Sequence, residues 1–98
     1  MSRLIPAALE RRYTAAQARV SEVLDRTAIE DADWIAKYRD LVAAWGEMAA
    51  VYEEASRLPS VRTGLVWSAL FDAEIYARNR RAEVERQLAA LEAQDGAS

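Results

Sequence analysis

Apolar residues recur at alternating steps of three and four along three stretches of the chain, which is the spacing of one face of an α-helix. The first stretch predicts helix 1 over about residues 6–26, because Pro6 suits a first helical turn, where its missing N–H would have no partner in any case. The apolar strip of this helix comprises Leu9, Tyr13, Ala16, Val20, Val23 and Thr27. Thr27 and Glu30 match the Thr-x-x-Glu capping box, which predicts the start of the next helix.

Helix 2 is predicted over about residues 31–58 and has the broadest apolar stripe, as expected of a middle helix contacted from two sides. Pro59 ends it, because the residue before a proline avoids helical backbone angles. Gly46 costs about 1 kcal/mol relative to alanine inside a helix, so we expect close packing against a neighbouring helix there. The stripe comprises Trp34, Tyr38, Leu41, Trp45, Met48, Tyr52 and Ala55, widened by Ile35, Val42 and Ala49.

Helix 3 is predicted over about residues 61–94, and its two halves differ. Up to Ala77 it is apolar nearly all round, whereas after Glu83 only Val84, Leu88 and Leu91 form a strip, typical of a coiled-coil seam. At about 1.5 Å per residue, helix 3 exceeds helix 1 in length by roughly 15 to 20 Å. We therefore expect its last three turns to overhang and to be covered by another subunit, with residues 95–98 as a frayed tail.

These patterns predict an all-α fold in a single helical domain spanning residues 1–98. It is either a three-helix antiparallel bundle or an extended helical hairpin with a long C-terminal helix, and we expect it to self-associate. The aromatic residues fall mostly at core spacing. The residues predicted to contact another protein are Leu65 and Tyr76, which lie off the main seam, and the strip Val84, Leu88 and Leu91.

Composition narrows the possible chemistry. The chain has neither histidine nor cysteine, which removes the commonest general base, thiolate nucleophiles and most transition-metal sites. Its three glycines cannot form a glycine-rich phosphate loop. We therefore predict no enzymatic activity, catalytic residue, cofactor or metal site. Twelve of the thirteen basic residues are arginine and alanine is abundant, which suggests a bacterial or phage genome. No segment reaches the ~18 apolar residues needed to cross a bilayer. We therefore expect a cytoplasmic protein of a bacterial cell or a phage-infected host.

Arg78, Arg80 and Arg81 form a basic cluster that is open to two interpretations. It resembles a nucleic-acid footprint, but a net charge of −3 argues against binding by bulk electrostatics. Glu74 precedes Arg78 at the favourable i,i+4 spacing, which is typical of ion pairs on a solvated helix face. Arg81 falls on the apolar line of Val84, where a charge needs a partner or an exit to water.

The order of helix signals resembles that of the small terminase subunits of tailed phages. The matching residues are 5–9 opening a helix, the acidic segment 29–33, Tyr38 and Trp45 in helix 2, and Pro59 before the last helix. The resemblance implies a helical protein that assembles as a ring and helps the packaging motor to engage DNA. The chain departs from the family pattern by lacking a Gly-Leu-Thr-Pro-like closing segment.

Two functions follow from these features. The first is a non-enzymatic protein-interaction module that acts as an adaptor, assembly or inhibitory component, with itself or another protein as partner. The alternative is a DNA-packaging subunit that binds DNA through the three arginines. Neither a membrane nor a small-molecule substrate is expected as a partner.

Overall fold

Three helices make up almost all of the chain. The computed structural model describes residues 5–61 and 65–97, apart from the side chains of Leu65 and Ala97. The helices are α1 (Ala7–Asp25), α2 (Asp31–Ser56) and α3 (Leu65–Ala97), and the described residues contain no strand. The predicted all-α fold is confirmed. The predicted frayed tail is wrong for residues 95–97, which continue α3.

The start of α2 is capped by a different pair of residues from the predicted one. Thr27 lies in the loop, and the first residue before the helix is Glu30. The Asp33 carboxylate accepts the backbone N–H of Glu30 at 3.2 Å and that of Ile29 at 3.3 Å. Glu30 and Asp33 therefore form the capping box three residues later than the Thr27 pattern indicated.

Lys37 joins the end of α1 to α2. Its ammonium group donates to the backbone carbonyls of Leu24 at 3.0 Å and Arg26 at 2.8 Å, and its side chain is buried. The last carbonyls of a helix have no partner within the helix, and a cation there also interacts favourably with the helix dipole. Nearby, Arg26 contacts Asp40 at 2.6 Å. The only lysine of the chain thus caps α1 from the neighbouring helix.

The core lies where α1 and α3 both pack against α2, which confirms that α2 is the middle helix. α1 and α3 do not approach each other within 8 Å between Cα atoms in the described part of the chain. The main core cluster contains Ala16, Val20 and Val23 of α1, Leu41, Ala44, Trp45, Met48 and Ala49 of α2, and Ala77 and Val84 of α3. A second cluster is formed by Leu9, Val51 and Ala55, against which Leu70 packs.

Both pairs of neighbouring helices are antiparallel. Along α1, Arg12 contacts Glu47 and Arg26 contacts Asp40. Along α3, Arg78 contacts Glu53 at 3.2 Å, and a separate ion pair at the other end joins Arg39 to Glu92 at 3.1 Å.

The last turns of α3 do not overhang, contrary to the expectation from helix length. Glu92, Asp95 and Gly96 line a shallow groove together with Ala32 and Ile35 in the first turns of α2. The length of helix 1 does not limit α3, because α3 packs along α2. The start of α2 extends beyond the end of α1, since the end of α1 contacts Lys37, which lies beyond the first turn of α2. The last turns of α3 therefore lie beside the first turns of α2 in the same chain.

Gly46 faces an arginine side chain. A Cβ atom at this position would lie 3.5 Å from Nη1 and 3.6 Å from Cδ of Arg81, which is ordinary van der Waals contact. The predicted contact with a neighbouring helix is therefore present, and it is made by the Arg81 side chain of α3 at an ordinary distance. The Arg81 side chain passes over Gly46 and contacts the Glu85 carboxylate at 3.1 Å. Although Arg81 lies on the apolar line, its guanidinium group therefore has a carboxylate partner and access to water.

Candidate interaction surface

The first half of α3 carries large apolar side chains that the rest of the described chain covers only in part. Val66, Trp67, Phe71, Ile75 and Tyr76 are between 39% and 60% exposed. We call these five residues the α3 apolar surface. Large exposed apolar patches are uncommon on soluble monomers and mark interaction sites when they occur.

Trp67 and Phe71 form the centre of this surface. They are one helical turn apart, and their rings stack with centroids 5.4 Å apart at an angle of 13°. Ile75 follows at the same four-residue spacing, so the three side chains lie along one side of the helix. Because both rings are fixed on a regular helix and on each other, they lose little conformational freedom when another surface covers them.

Tyr76 lies on a different side of α3, against Trp45 of α2. The two rings meet edge to face with centroids 5.9 Å apart. Trp45 is almost fully buried, and its indole N–H has no hydrogen-bond partner in the described part of the chain. An unpaired buried donor costs free energy, so this edge of the core is less well satisfied than the rest.

The five predicted contact residues have different positions in the structure. Tyr76 is 60% exposed, and the side chain of Leu65 lies outside the described residues. Val84 is only 3% exposed and belongs to the core formed with α2, while Leu88 and Leu91 are half-buried. The premise that no helix of the same chain covers this strip is therefore wrong.

Sequence analysis missed Trp67, Phe71 and Ile75 as surface residues. The aromatic residues Trp67 and Phe71 fall at core spacing, yet the line that packs against the core is that of Leu70, Ala77 and Val84. The signal that could have indicated the exposed side was the apolar character of α3 on every side before Ala77. A helix that packs against a single neighbour cannot bury its whole circumference.

The three clustered arginines all have carboxylate partners. Arg78 contacts Glu74 at 2.9 Å and also Glu53, while Arg80 contacts Glu83 at 2.7 Å. Arg81 contacts Glu85. On α1, Arg12 contacts Glu47 and Glu54. The cluster is therefore electrically balanced by acidic groups within the same chain.

A small apolar cavity of about 200 Å³ opens where the ends of the three helices meet. Leu9, Tyr13, Tyr52 and Leu70 contribute to its lining. Tyr13 and Tyr52 lie with ring centroids 5.7 Å apart. Burial and the hydrogen bond with Tyr13 raise the pKa of Tyr52 to about 12.

The raised pKa of Tyr52 predicts a loss of stability in strong base. In the unfolded chain a tyrosine has a pKa near 10, whereas the pKa of Tyr52 in the folded chain is about 12. The stabilising contribution of the neutral phenol is thus complete below pH 10 and disappears as the pH rises to about 12. Tyrosinate absorbance should show one late-titrating group, which the Tyr52→Phe variant lacks. If the variant retains this late step, the assignment to Tyr52 is wrong.

Other kinds of site find no support in the described part of the chain. It holds no group of three or more acidic residues placed to bind a metal ion. Nor does any helix within the described ranges combine the length and the apolar character needed to span a membrane.

Comparison with known proteins adds no family. No protein-family model matches the chain, and neither a curated protein nor a solved structure matches it. The geometry of the α3 apolar surface therefore carries the functional argument by itself.

Proposed function

We propose that this chain is a non-enzymatic helical interaction module that binds a polypeptide partner through the α3 apolar surface. The supporting observation is the exposure of the stacked pair Trp67 and Phe71 together with Ile75 on one side of a long helix. Large aromatic side chains dominate binding energy at protein interfaces. A rigid row of them at four-residue spacing fits a helical partner.

The size of the surface is consistent with this role. Tryptophan, tyrosine and phenylalanine side chains each present about 150 to 250 Å² when fully accessible. With about two fifths of each exposed, Trp67, Phe71 and Ile75, which share one side of α3, offer roughly 250 Å² of apolar area. A standard interface covers about 800 Å² of each partner, so polar residues around the patch would complete it.

The carboxylate partners of Arg78, Arg80 and Arg81 favour the interaction module over DNA packaging. A phosphate would have to displace an existing acidic group at each arginine. The absence of histidine and cysteine from the sequence supports a function without catalysis.

Site-specific photo-cross-linking in the cells that naturally produce the protein tests this proposal. A benzophenone amino acid placed at position 71 should form adducts with a polypeptide, because Phe71 lies at the centre of the surface. The same amino acid at position 17, where Gln17 is exposed on α1, is the matched control and should form none. Equal labelling at both positions, or no polypeptide adduct at position 71, would contradict the proposal.

A further inference from the structure

The side of α3 that faces away from α2 has large residues in one half and small ones in the other. Trp67, Phe71 and Ile75 lie in the first half. At 100° per residue, the same side continues through Ala82, Ala89 and Ala93, of which the last two are exposed. The strip containing Ala77 and Val84 lies on the opposite side, against α2. We call the side away from α2 the outer face of α3.

This outer face also carries two charges without a partner. Asp72 and Arg86 are exposed, and they are the charged α3 residues to which the described structure gives no hydrogen bond or ion pair. The ion-paired residues of α3 are Glu74, Arg78, Arg80, Arg81, Glu83, Glu85 and Glu92, and Asp95 also has an interaction. Asp72 and Arg86 are nearly four turns apart, about 21 Å, so they cannot reach each other within one helix.

We infer that the partner of the outer face is the same face of a second copy of this chain, running antiparallel, with the two-fold axis at Asn79. This inference rests on the proposed function, since it names the occupant of part of the α3 apolar surface. Asn79 is exposed and lies midway between Asp72 and Arg86. The two-fold axis therefore places Asp72 of each copy opposite Arg86 of the other.

The same register matches large residues with small ones. Ile75 comes within about one residue of Ala82 in the second copy, and Phe71 lies within about half a turn of Ala89. Trp67 lies about 120° round the helix from Asn79, so it borders this contact and does not enter its centre. Such a contact is isologous, so a single patch satisfies both subunits and the assembly closes as a dimer. Two symmetry-related ion pairs fix its direction, since a parallel pairing would place Asp72 against Asp72.

Cysteine cross-linking tests the register directly, because the chain contains no native cysteine. The variants Asp72→Cys and Arg86→Cys should form a disulfide when they are mixed under mild oxidation, and neither should cross-link with itself. The Asn79→Cys variant should cross-link with itself. Arg11→Cys, at an exposed arginine of α1, is the control and should form no disulfide-linked dimer in any mixture.

Charge exchange provides a second readout. Asp72→Arg and Arg86→Asp should each weaken dimerisation about tenfold at low salt, because each puts two like charges in contact at both ends of the interface. Combining both changes should restore the dissociation constant to within a few-fold of the original value. Sedimentation equilibrium measures all four proteins.

The outcomes separate this inference from the proposed function. A monomeric protein, or self-linking of Asp72→Cys without linking to Arg86→Cys, would overturn the antiparallel dimer. If adducts at position 71 then contain a different polypeptide, the interaction module stands and only the second copy is wrong. If position 71 forms no polypeptide adduct, the proposed function fails as well.

Discussion

Replacing Val84 by aspartate is expected to destabilise the fold of the single chain by about 3 kcal/mol or more. Val84 is 3% exposed and packs in the same cluster as Ala77 and residues of α2. A carboxylate there would lose its hydration without gaining a partner, which is among the most destabilising changes that a core can suffer. Urea denaturation followed by circular dichroism measures the free energy of unfolding.

Gln87→Asp is the matched control for this variant. Gln87 lies three residues further along α3 and is exposed, so the same charge there should cost well under 1 kcal/mol. The difference in unfolding free energy between the two variants therefore reports whether Val84 is buried within a single chain. If Val84→Asp unfolds at the same urea concentration as Gln87→Asp while assembly is lost, Val84 serves a partner subunit and the packing of α3 against α2 is wrong.

Lys37→Met is expected to lower the free energy of unfolding by about 1.5 to 3 kcal/mol. Methionine preserves most of the side-chain volume but removes both hydrogen bonds to the carbonyls of Leu24 and Arg26. A hydrogen bond from a charged donor stabilises a fold by about 1.5 to 3 kcal/mol. In the variant, the two carbonyl groups would lose this donor while staying partly shielded from water. The ammonium also lies 5.2 Å from the centroid of the Trp34 ring, which adds a cation–π contact.

Arg39→Met provides the comparison for Lys37→Met. Arg39 is two residues further along α2, is 64% exposed, and forms an ion pair with Glu92. Exposed ion pairs contribute between zero and about 1 kcal/mol, so this variant should unfold close to the original protein. Equal losses from the two variants would show that the contacts of Lys37 with α1 do not stabilise the fold.

Much of the fold could be predicted from the sequence because helix signals are local. Pro6 and Pro59 limit helices by their own backbone geometry, and the apolar stripe of α2 required two neighbours. The cap of α2 was misplaced because Thr27 and Glu30 have the spacing of a capping box, whereas Glu30 and Asp33 form one. Both residue pairs have the spacing of a capping box. Which pair forms the hydrogen bonds depends on the residue at which α1 ends and on the path of the loop to α2.

The candidate surface could be predicted only in part. Tyr76 was identified, since it lies off the main apolar line and is exposed. Trp67 and Phe71 were assigned to the core, because spacing on a helix shows which residues share a side but not which side another helix covers. That choice depends on the register between α2 and α3, which is fixed by buried contacts far apart in the sequence, such as those of Ala77 and Val84 with the core of α2.

Among the described residues, the Cα atoms of α1 and α3 come within 8 Å of α2 but not of each other, so these helices form two hairpins that share one helix. Apart from the end where Leu70 reaches the Leu9 cluster, each helix contacts the one next to it in sequence, as the units of a solenoid protein do. Short sequence separation between contacting segments favours rapid folding. It also separates the roles of the outer helices, since α1 packs against α2 while the side of α3 away from α2 contributes little to the core.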